Sequence, residues 1–536
     1  MNKRKLLFLS ALTGLLLTPA WYTWGSGLFL LIAFVPLLLA EYEIYSNPDK
    51  YKKSLSFLIP WFGFFIWNAS TLWWLKNASG PGMVFAVFYN SFIATIPFWL
   101  FSVTHRKLGN KAGYFSLVFY WLAYEYLYIN AEISFTWLNL GNGFANNIKL
   151  IQWYEYTGTL GGTLWALISN ILLLKIVQDY LRQKSFKNIR YKLSFLLAFI
   201  FIPAAISFYM FSSYREKPDP YEIVVIQPNI DPYLKFNDVA PEDQNAILFQ
   251  LADSLITVNT DYIAAPETFI NDNVWLNQLE SNPSIKQIRN YLSFHPGIIM
   301  VVGATTYKLY GKDEKISPTA KELQDSIFYD SYNTALQIDT SDKIQYYHKS
   351  QLVVGVEKMP YPQYLRFLQK IMLRLGGTFR SHGSQQNRAC LVSPSGRLKI
   401  APVICYESIF GEFVTDYVTK AGANIIFVIT NDGWWSDTPG YIQHNSFSCL
   451  RAVETRRSIA RSANTGISCF INQKGEILQR IGWWKRSAIR DTLNANDKLT
   501  FYVKYGDYCG RISLFAGIFL ALYTLVKTII MRKRKV

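Results

Sequence analysis

Charged residues are scarce in this chain of 536 residues: Lys, Arg, Asp and Glu make up 17%, against roughly 25% in soluble globular domains. Acidic residues are the scarcer sign, 37 against 54 basic ones, which leaves a formal net charge of +17. A surplus of that size suggests nucleic acid only when the basic residues lie along one folded face. Here they cluster in short segments beside apolar runs, which excludes that partner. Histidine is rare too: the five residues at 105, 295, 348, 382 and 444 show no metal-ligand spacing, so no metal is expected. No internal repeat and no low-complexity tract is present.

What the chain does have is apolar length. Apolar residues make up 50% and aromatics 16%, with 16 Trp, a composition suited to interfacial belts. Eight apolar stretches lie near residues 6–20, 26–40, 55–75, 83–104, 113–130, 157–177, 193–213 and 512–531. Each approaches the roughly 17–25 residues needed to cross a hydrocarbon core, the second being on the short side. Basic residues fall beside alternate ends: Lys3 to Lys5, Lys50 to Lys53, Arg106 to Lys111, Arg182 to Lys192, and Arg532 to Lys535. By the positive-inside rule both termini are expected in the cytoplasm. The block between the seventh and eighth stretches then lies on the other face, which in a bacterial cell is the periplasm or exterior. The first stretch also has the look of a signal peptide; seven further spans favour an uncleaved helix. The expected organisation is a membrane domain over 1–213, an extramembrane domain over 214–510, and a final span with a basic tail over 511–536. Glu125 falls inside a span, where an acid is either functional or a hydrogen-bonding partner within the bundle.

The extramembrane block alternates strands and helices. Candidate strands lie at 223–228, 260–266, 297–304, 332–338, 343–349, 398–405, 424–430 and 467–472, most of them apolar throughout, as in strands covered on both faces. Helices follow Pro241 and Gly440, and the polar stretch 310–328 reads as a surface loop. Three of the strands end in reactive groups: Pro266-Glu267, His348-Lys349 and Ile404-Cys405. An open α/β sheet converges side chains on a crevice at its strand ends. Taken alone, Cys405 reads as a buried structural cysteine, and Glu267 or Lys349 as half of a surface ion pair. Together they read as a site in which Glu267 takes the thiol proton and Lys349 favours the thiolate and then holds an oxyanion. His348 suggests a Cys–His dyad, but period-two alternation points it to the opposite face from Lys349. Cys390, Cys449, Cys469 and Cys509 are candidates for pairing in an oxidising compartment, in a connectivity that sequence does not give.

Glu, Lys and Cys in that chain order resemble the nitrilase superfamily, whose fold is an αββα sandwich. The block is similar in particular to its membrane branch, the apolipoprotein N-acyltransferases. The matching stretches are Gln227-Pro228-Asn229-Ile230, Pro266-Glu267-Thr268, Tyr332-Asn333-Thr334-Ala335, Tyr347-His348-Lys349 with Glu357 beyond, Cys405-Tyr406-Glu407, Asn431-Asp432-Gly433-Trp434-Trp435, Gln443-His444 and Arg461 to Ser468. Weaker matches, Phe34 to Leu38 and Trp137 to Gly141, extend the resemblance into the membrane part. It implies Glu267 as general base, Lys349 as oxyanion stabiliser and Cys405 as acylated nucleophile. Glu357, Tyr406, Glu407 and Phe236 would shape the pocket and position the triad. Two departures stand out: Lys235-Phe236 where the family often has Lys-Trp, and Leu352-Val353-Val354-Gly355-Val356-Glu357 where it usually has Leu-Val-Pro-Phe-Gly-Glu.

The implied reaction takes an acyl chain from a membrane phospholipid onto Cys405 and passes it to the α-amine of the lipid-modified N-terminal Cys of an apolipoprotein. The resemblance implies a monomer and no cofactor. Apolar residues of 364–375 (Phe367, Leu368, Ile371, Met372, Leu373 and Leu375) have amphipathic spacing, suited to the lipid interface or to packing on the domain. Two rival functions remain: a membrane-tethered amidase with the same triad, which would need only one span, and a transporter or scaffold, for which the spans show no inverted repeat and Cys405 has no use.

Overall fold

The computed structural model describes residues 1–183, 189–235, 238–324, 326–341, 343–361 and 381–533. Phe236, and the amphipathic stretch with Phe367 to Leu375, therefore lie outside the described residues. The chain forms two compact units: Met1–Lys76, Gly80–Ser213 and Tyr505–Val536 make one, Asn77–Ser79 with Tyr214–Lys504 the other.

The first unit is helical. Its helices are α1 (Lys3–Leu17), α2 (Val35–Ser46), α3 (Leu55–Leu72), α4 (Gly80–Ile129), α5 (Tyr154–Gln183) and α6 (Arg190–Ser213), and the chain returns to it at residues 508–533. Among the described residues, six helical segments are long and apolar enough to cross a membrane, so this is a multi-pass membrane protein. The count differs from the eight expected stretches for two reasons. The first stretch forms a helix of only 15 residues, short of a span. The fourth and fifth lie in the single 50-residue segment α4, whose direction breaks at Gly109 (φ 79°, ψ −177°), a left-handed backbone that glycine adopts without a Cβ penalty. Glu125, on α4, accepts hydrogen bonds from Trp121 Nε1 (3.0 Å), the Leu140 amide (2.8 Å) and Thr163 Oγ1 (2.6 Å). It ties three segments of the unit together, as a bundle-internal acid must to be tolerated in lipid.

The second unit is a four-layer sandwich. Its first sheet contains β1 (Pro220–Gln227), β2 (Thr260–Ala264), β3 (Ile270–Trp275), β4 (Ile299–Leu309), β5 (Lys321–Gln324), β6 (Ile327–Ile338), β7 (Gln345–His348) and the late strand β14 (Ser487–Asn494). The second runs β13 (Ile477–Ile481), β12 (Ser468–Ile471), β11 (Ile459–Ala463), β10 (Ile425–Thr430), β9 (Lys399–Ile404), β8 (Leu391–Val392). In each, parallel central strands (β1, β2 and β4; β9, β10 and β11) are flanked by antiparallel neighbours. Strand alternation sorts the side chains. Val224 and Ile226 face helices α7 (Pro241–Asp253) and α8 (Pro283–Ser293) through Leu248, Ile285 and Ile288. Ile223 and Val225 face the other way, toward Ile400, Ile425 and Phe427 of the second sheet. Helices α9 (Gly411–Ala421) and α10 (Pro439–Thr455) complete the second sheet's side of the sandwich.

The stretch 310–328, expected as a loop, contains β5, paired antiparallel with β6. Lys, Glu and Gln give it no apolar pattern to read. Strands β3, β8, β11, β13 and β14 also lie outside the expected set; Ile459-Ala460-Arg461-Ser462-Ala463 of β11 is wholly buried yet carries an arginine and a serine. All five cysteines are free thiols, so the pairing considered for four of them does not occur.

Two stability measurements follow. Phe427 is fully buried between the sheets, its ring edge-on to Tyr262 at 5.8 Å; Phe427→Ala is expected to lower unfolding free energy by about 3–5 kcal/mol, read as a lower thermal midpoint in detergent. Burial, with Lys308 adding repulsion, pushes His348 down to about 4 from an ordinary 6.5. The unfolded chain then takes up the proton first, so this contribution is full above about pH 6.5 and is lost as pH falls toward 4. The midpoint is expected to drop between pH 7 and 4.5, and to drop less in His348→Gln.

Candidate active site

Three side chains sit at strand ends. Glu267 follows β2 after Ala265-Pro266, Lys349 directly follows β7, and Cys405 directly follows β9. Glu267 is carried on a tight turn. Thr268 has φ 48°, and β4 approaches so closely that a Cβ on Gly303 would lie 2.5 Å from the Thr268 nitrogen and 2.6 Å from the Glu267 Cα. Only glycine leaves room for that approach.

Lys349 is 1% exposed. Its Nζ donates to Glu267 Oε1 at 3.0 Å and to Glu357 Oε1 at 2.8 Å. Asn333 Nδ2 donates to the same two oxygens, at 2.7 and 3.3 Å. Burial by itself would lower the Lys349 pKa, but Glu267, Glu357 and Cys405 raise it well above its ordinary value, so the ammonium stays charged. Glu357 is held by the Val353 amide at 2.8 Å, and despite its burial Lys349 holds its carboxyl below the ordinary value. The pattern follows from pairing: Thr334 lies opposite His348 in the β6–β7 ladder, and the Lys349 amide donates to the Asn333 carbonyl at 2.8 Å. Alternation puts Asn333 and Lys349 on one face. Thr334 and His348 take the other, where His348 Nδ1 meets Thr334 Oγ1 at 2.8 Å and the ring stacks on Tyr332. His348 is therefore turned away from the site.

Cys405 is half-buried and opens the short turn Cys405–Ile409 with φ 50°, a left-handed conformation uncommon for a residue with a side chain. Burial pushes its thiol up from the ordinary value; the Glu267 carboxylate pushes further, and the Lys349 ammonium pulls back. The resting group is a thiol that needs a base. Its hydroxyl neighbour is Thr430, at the end of the adjacent strand β10. Behind it, His444 spans from Asp432 (Nδ1 to Oδ1, 2.9 Å) to the Cys405 carbonyl (Nε2, 3.1 Å), and Arg461 Nη2 donates to Asp432 Oδ2 at 2.8 Å. Asp432, His444 and Arg461 are all fully buried.

Glu407, also fully buried, joins the two sheets. One carboxylate oxygen accepts from the Ser350 amide (2.7 Å) and Tyr347 hydroxyl (2.9 Å), beside Lys349; the other accepts from the Ile404 amide (2.9 Å), beside Cys405. Tyr406 is buried next to it, its hydroxyl pushed up by burial and then by Cys405. The structure thus gathers Glu267, Lys349, Glu357, Tyr406, Glu407 and Cys405 in one neighbourhood. Asn333, Asp432, His444 and Arg461 stand in the family-like stretches, and Lys235 beside Phe236, without a task that the sequence assigns them. A neutral amide in a strand, or an arginine within an apolar run, was the available signal.

Comparison with known proteins agrees with this architecture. Residues 13–172 match the apolipoprotein N-acyltransferase N-terminal domain and residues 248–497 match the carbon-nitrogen hydrolase domain. An apolipoprotein N-acyltransferase of Chlorobaculum tepidum is 27% identical over 98% of this chain and 97% of its own length. Proteins of the same name from Geobacter metallireducens (25% identical, 94% and 92% covered) and Thermotoga maritima (24%, 96% and 92%) run equally far. A helical membrane unit and a carbon-nitrogen hydrolase unit, matched in this order by relatives that run the length of the chain, make this protein a member of the apolipoprotein N-acyltransferase family.

Proposed function

We propose that this protein transfers an acyl chain from a membrane phospholipid to the N-terminal α-amine of the diacylglyceryl-cysteine of apolipoproteins, through a thioester on Cys405. The observation that carries the reading is a buried ammonium, Lys349, bonded to Glu267 and electrostatically coupled to the Cys405 thiol. In the first half-reaction Glu267 takes the thiol proton as sulfur attacks the ester carbonyl. The S–C bond forms, Lys349 directs an N–H at the oxyanion, and the C–O bond breaks as Glu267 returns the proton to the departing lysophospholipid oxygen. In the second, the amine attacks the thioester; the N–C bond forms, the C–S bond breaks, and Glu267 carries the amine proton to sulfur. Glu357 and Asn333 keep Lys349 and Glu267 in register, and Glu407 with Tyr406 holds the Cys405 turn.

The membrane unit gives the chain a reason to be polytopic. Both substrates carry acyl chains whose removal from lipid costs about 0.8 kcal/mol per methylene, and an enzyme resident in the same bilayer avoids that removal. The alternating basic flanks favour a bacterial inner membrane with both termini cytoplasmic, residues 214–510 forming a periplasmic catalytic domain.

Incubating the purified chain with a defined phospholipid should give an intact-mass increase of one acyl group, released by hydroxylamine and absent in Cys405→Ala. A folded wild type without the adduct, or an adduct that survives Cys405→Ala, would sink the thioester. Glu267→Gln is expected to slow adduct formation by about 10²–10⁴-fold. Lys349→Met should slow it by at least about 10²-fold and lower stability by about 3–5 kcal/mol, because two buried carboxylates lose their cation. A preformed adduct should discharge faster to a lipidated N-terminal amine than to water; equal rates would instead favour an amidase.

A further inference from the structure

The first sheet continues past Glu267, and the face it carries there is aromatic. Ile299 and Val301, at the start of β4, pack between the two sheets. Alternation puts Gly303, Thr305, Tyr307 and Leu309 on that same face. The register extends it onto the neighbouring strands. Thr305 lies opposite Asn333, Tyr307 opposite Ser331 and Leu309 opposite Tyr329 on β6, while Trp275 of β3 is paired with Tyr307. Gly303 lies against the Glu267 turn, and Asn333 Nδ2 donates to the Glu267 carboxylate. The face therefore begins at that carboxylate, and Tyr307 stands four residues, ~13 Å, beyond Gly303.

Trp275, Tyr307 and Tyr329 form one cluster. Ring centroids are 5.3 Å apart for Trp275 and Tyr307, and 6.0 Å apart for Tyr329 and each of the other two. All three rings are only half-buried, and Leu309 beside them is 40% exposed. Contiguous rings left half-open mark a surface that something apolar covers. Along β6 this shelf has a polar rim. Lys321 Nζ donates to Ser331 Oγ at 2.7 Å, and His382 Nδ1 meets the same oxygen at 2.9 Å. The His382 amide donates to the Glu357 carbonyl at 2.9 Å, so the rim is tied to a residue that holds Lys349.

We propose that this aromatic shelf is the subsite that receives the acyl chain of the phospholipid donor, with Trp275, Tyr307 and Tyr329 setting the chain-length preference. The inference rests on the acyl transfer through Cys405 proposed above. To meet the Cys405 sulfur the ester carbonyl must leave the lipid, and each methylene that follows it loses its apolar surroundings. A run of half-open rings that starts beside the reacting carbonyl restores them. The surface suits an alkyl chain better than a headgroup, because the ammonium of the rim is directed at Ser331 and what the three rings present is apolar.

The test is the single-turnover rate of acyl-adduct formation by the full chain in detergent, with two phospholipids of one headgroup that carry either hexanoyl or palmitoyl chains. Wild type is expected to react faster with the palmitoyl donor. Trp275→Ala and Tyr307→Ala should each lower the palmitoyl rate about tenfold, the equivalent of about two methylenes of lost burial, and leave the hexanoyl rate unchanged. An equal loss on both donors would overturn the proposal, since rings that only support the site do not sense chain length. So would a wild type without a chain preference, or variants that keep it. If the variants form the adduct with the wild-type preference but discharge it more slowly to a lipidated amine, the shelf serves the acceptor and the proposal fails. Should the ring variants not fold, Leu309→Gln, at an exposed position on the same face, is read by the same ratio of rates. A wild type that forms no Cys405-dependent adduct overturns the acyl-transfer reading and this inference with it; a wild type that does, with an unmoved ratio in the variants, overturns this inference alone.

Discussion

The site depends on one buried ammonium shared between two carboxylates. Lys349 reaches Glu267 and Glu357 at 3.0 and 2.8 Å while 1% exposed. Removing such a cation from water is unfavourable unless its partners are close and their other lone pairs are satisfied. Here the supporting donors are Asn333 Nδ2 on both carboxylates and the Val353 amide on Glu357. With those in place the excess of negative charge keeps Lys349 protonated, and burial, with the Glu267 charge adding to it, keeps Cys405 a thiol until a base acts on it.

Around that ion cluster the fold holds its reactive groups by the ends of strands. Each sheet contributes: Glu267 and Lys349 come from the first, Cys405 from the second. Their mutual placement therefore depends on how the two sheets are held together at this end. The apolar layer of Ile223, Val225, Ile400 and Phe427 fixes the sandwich, but apolar packing is non-directional. Glu407 supplies direction, because its two oxygens accept amides from the segments that carry Lys349 and Cys405. The Asp432–His444–Arg461 network does the same behind the nucleophile, ending on the Cys405 carbonyl. The left-handed backbone at Cys405 is a conformation that persists only where surroundings over-determine it.

Much of this was legible along the chain. Apolar runs such as Ile425–Thr430 and the flanking basic clusters declare central strands and membrane helices, because burial in a sandwich or in lipid demands continuous apolar sequence. Three reactive residues directly after such runs declare a site. What escaped has several causes. Strand β5 is polar because it lies at a sheet edge, and β11 carries Arg461 because its charge is neutralised by Asp432, almost thirty residues away in sequence. The 50-residue helical segment through Gly109 merges two stretches that hydropathy separates.

The sequence by itself determined which residues are apolar, where most of the helices and central strands lie, and which thiol, amine and carboxylates stand at strand ends, since these are local properties of composition and period. Only the tertiary structure decided that Lys349 is shared between Glu267 and Glu357, that Glu407 bridges the sheets, and that Lys235 lies buried under the Glu267 turn. Each of these joins groups from different elements. The energy that fixes them comes from satisfying buried charges and hydrogen bonds across the sandwich, which no local pattern encodes.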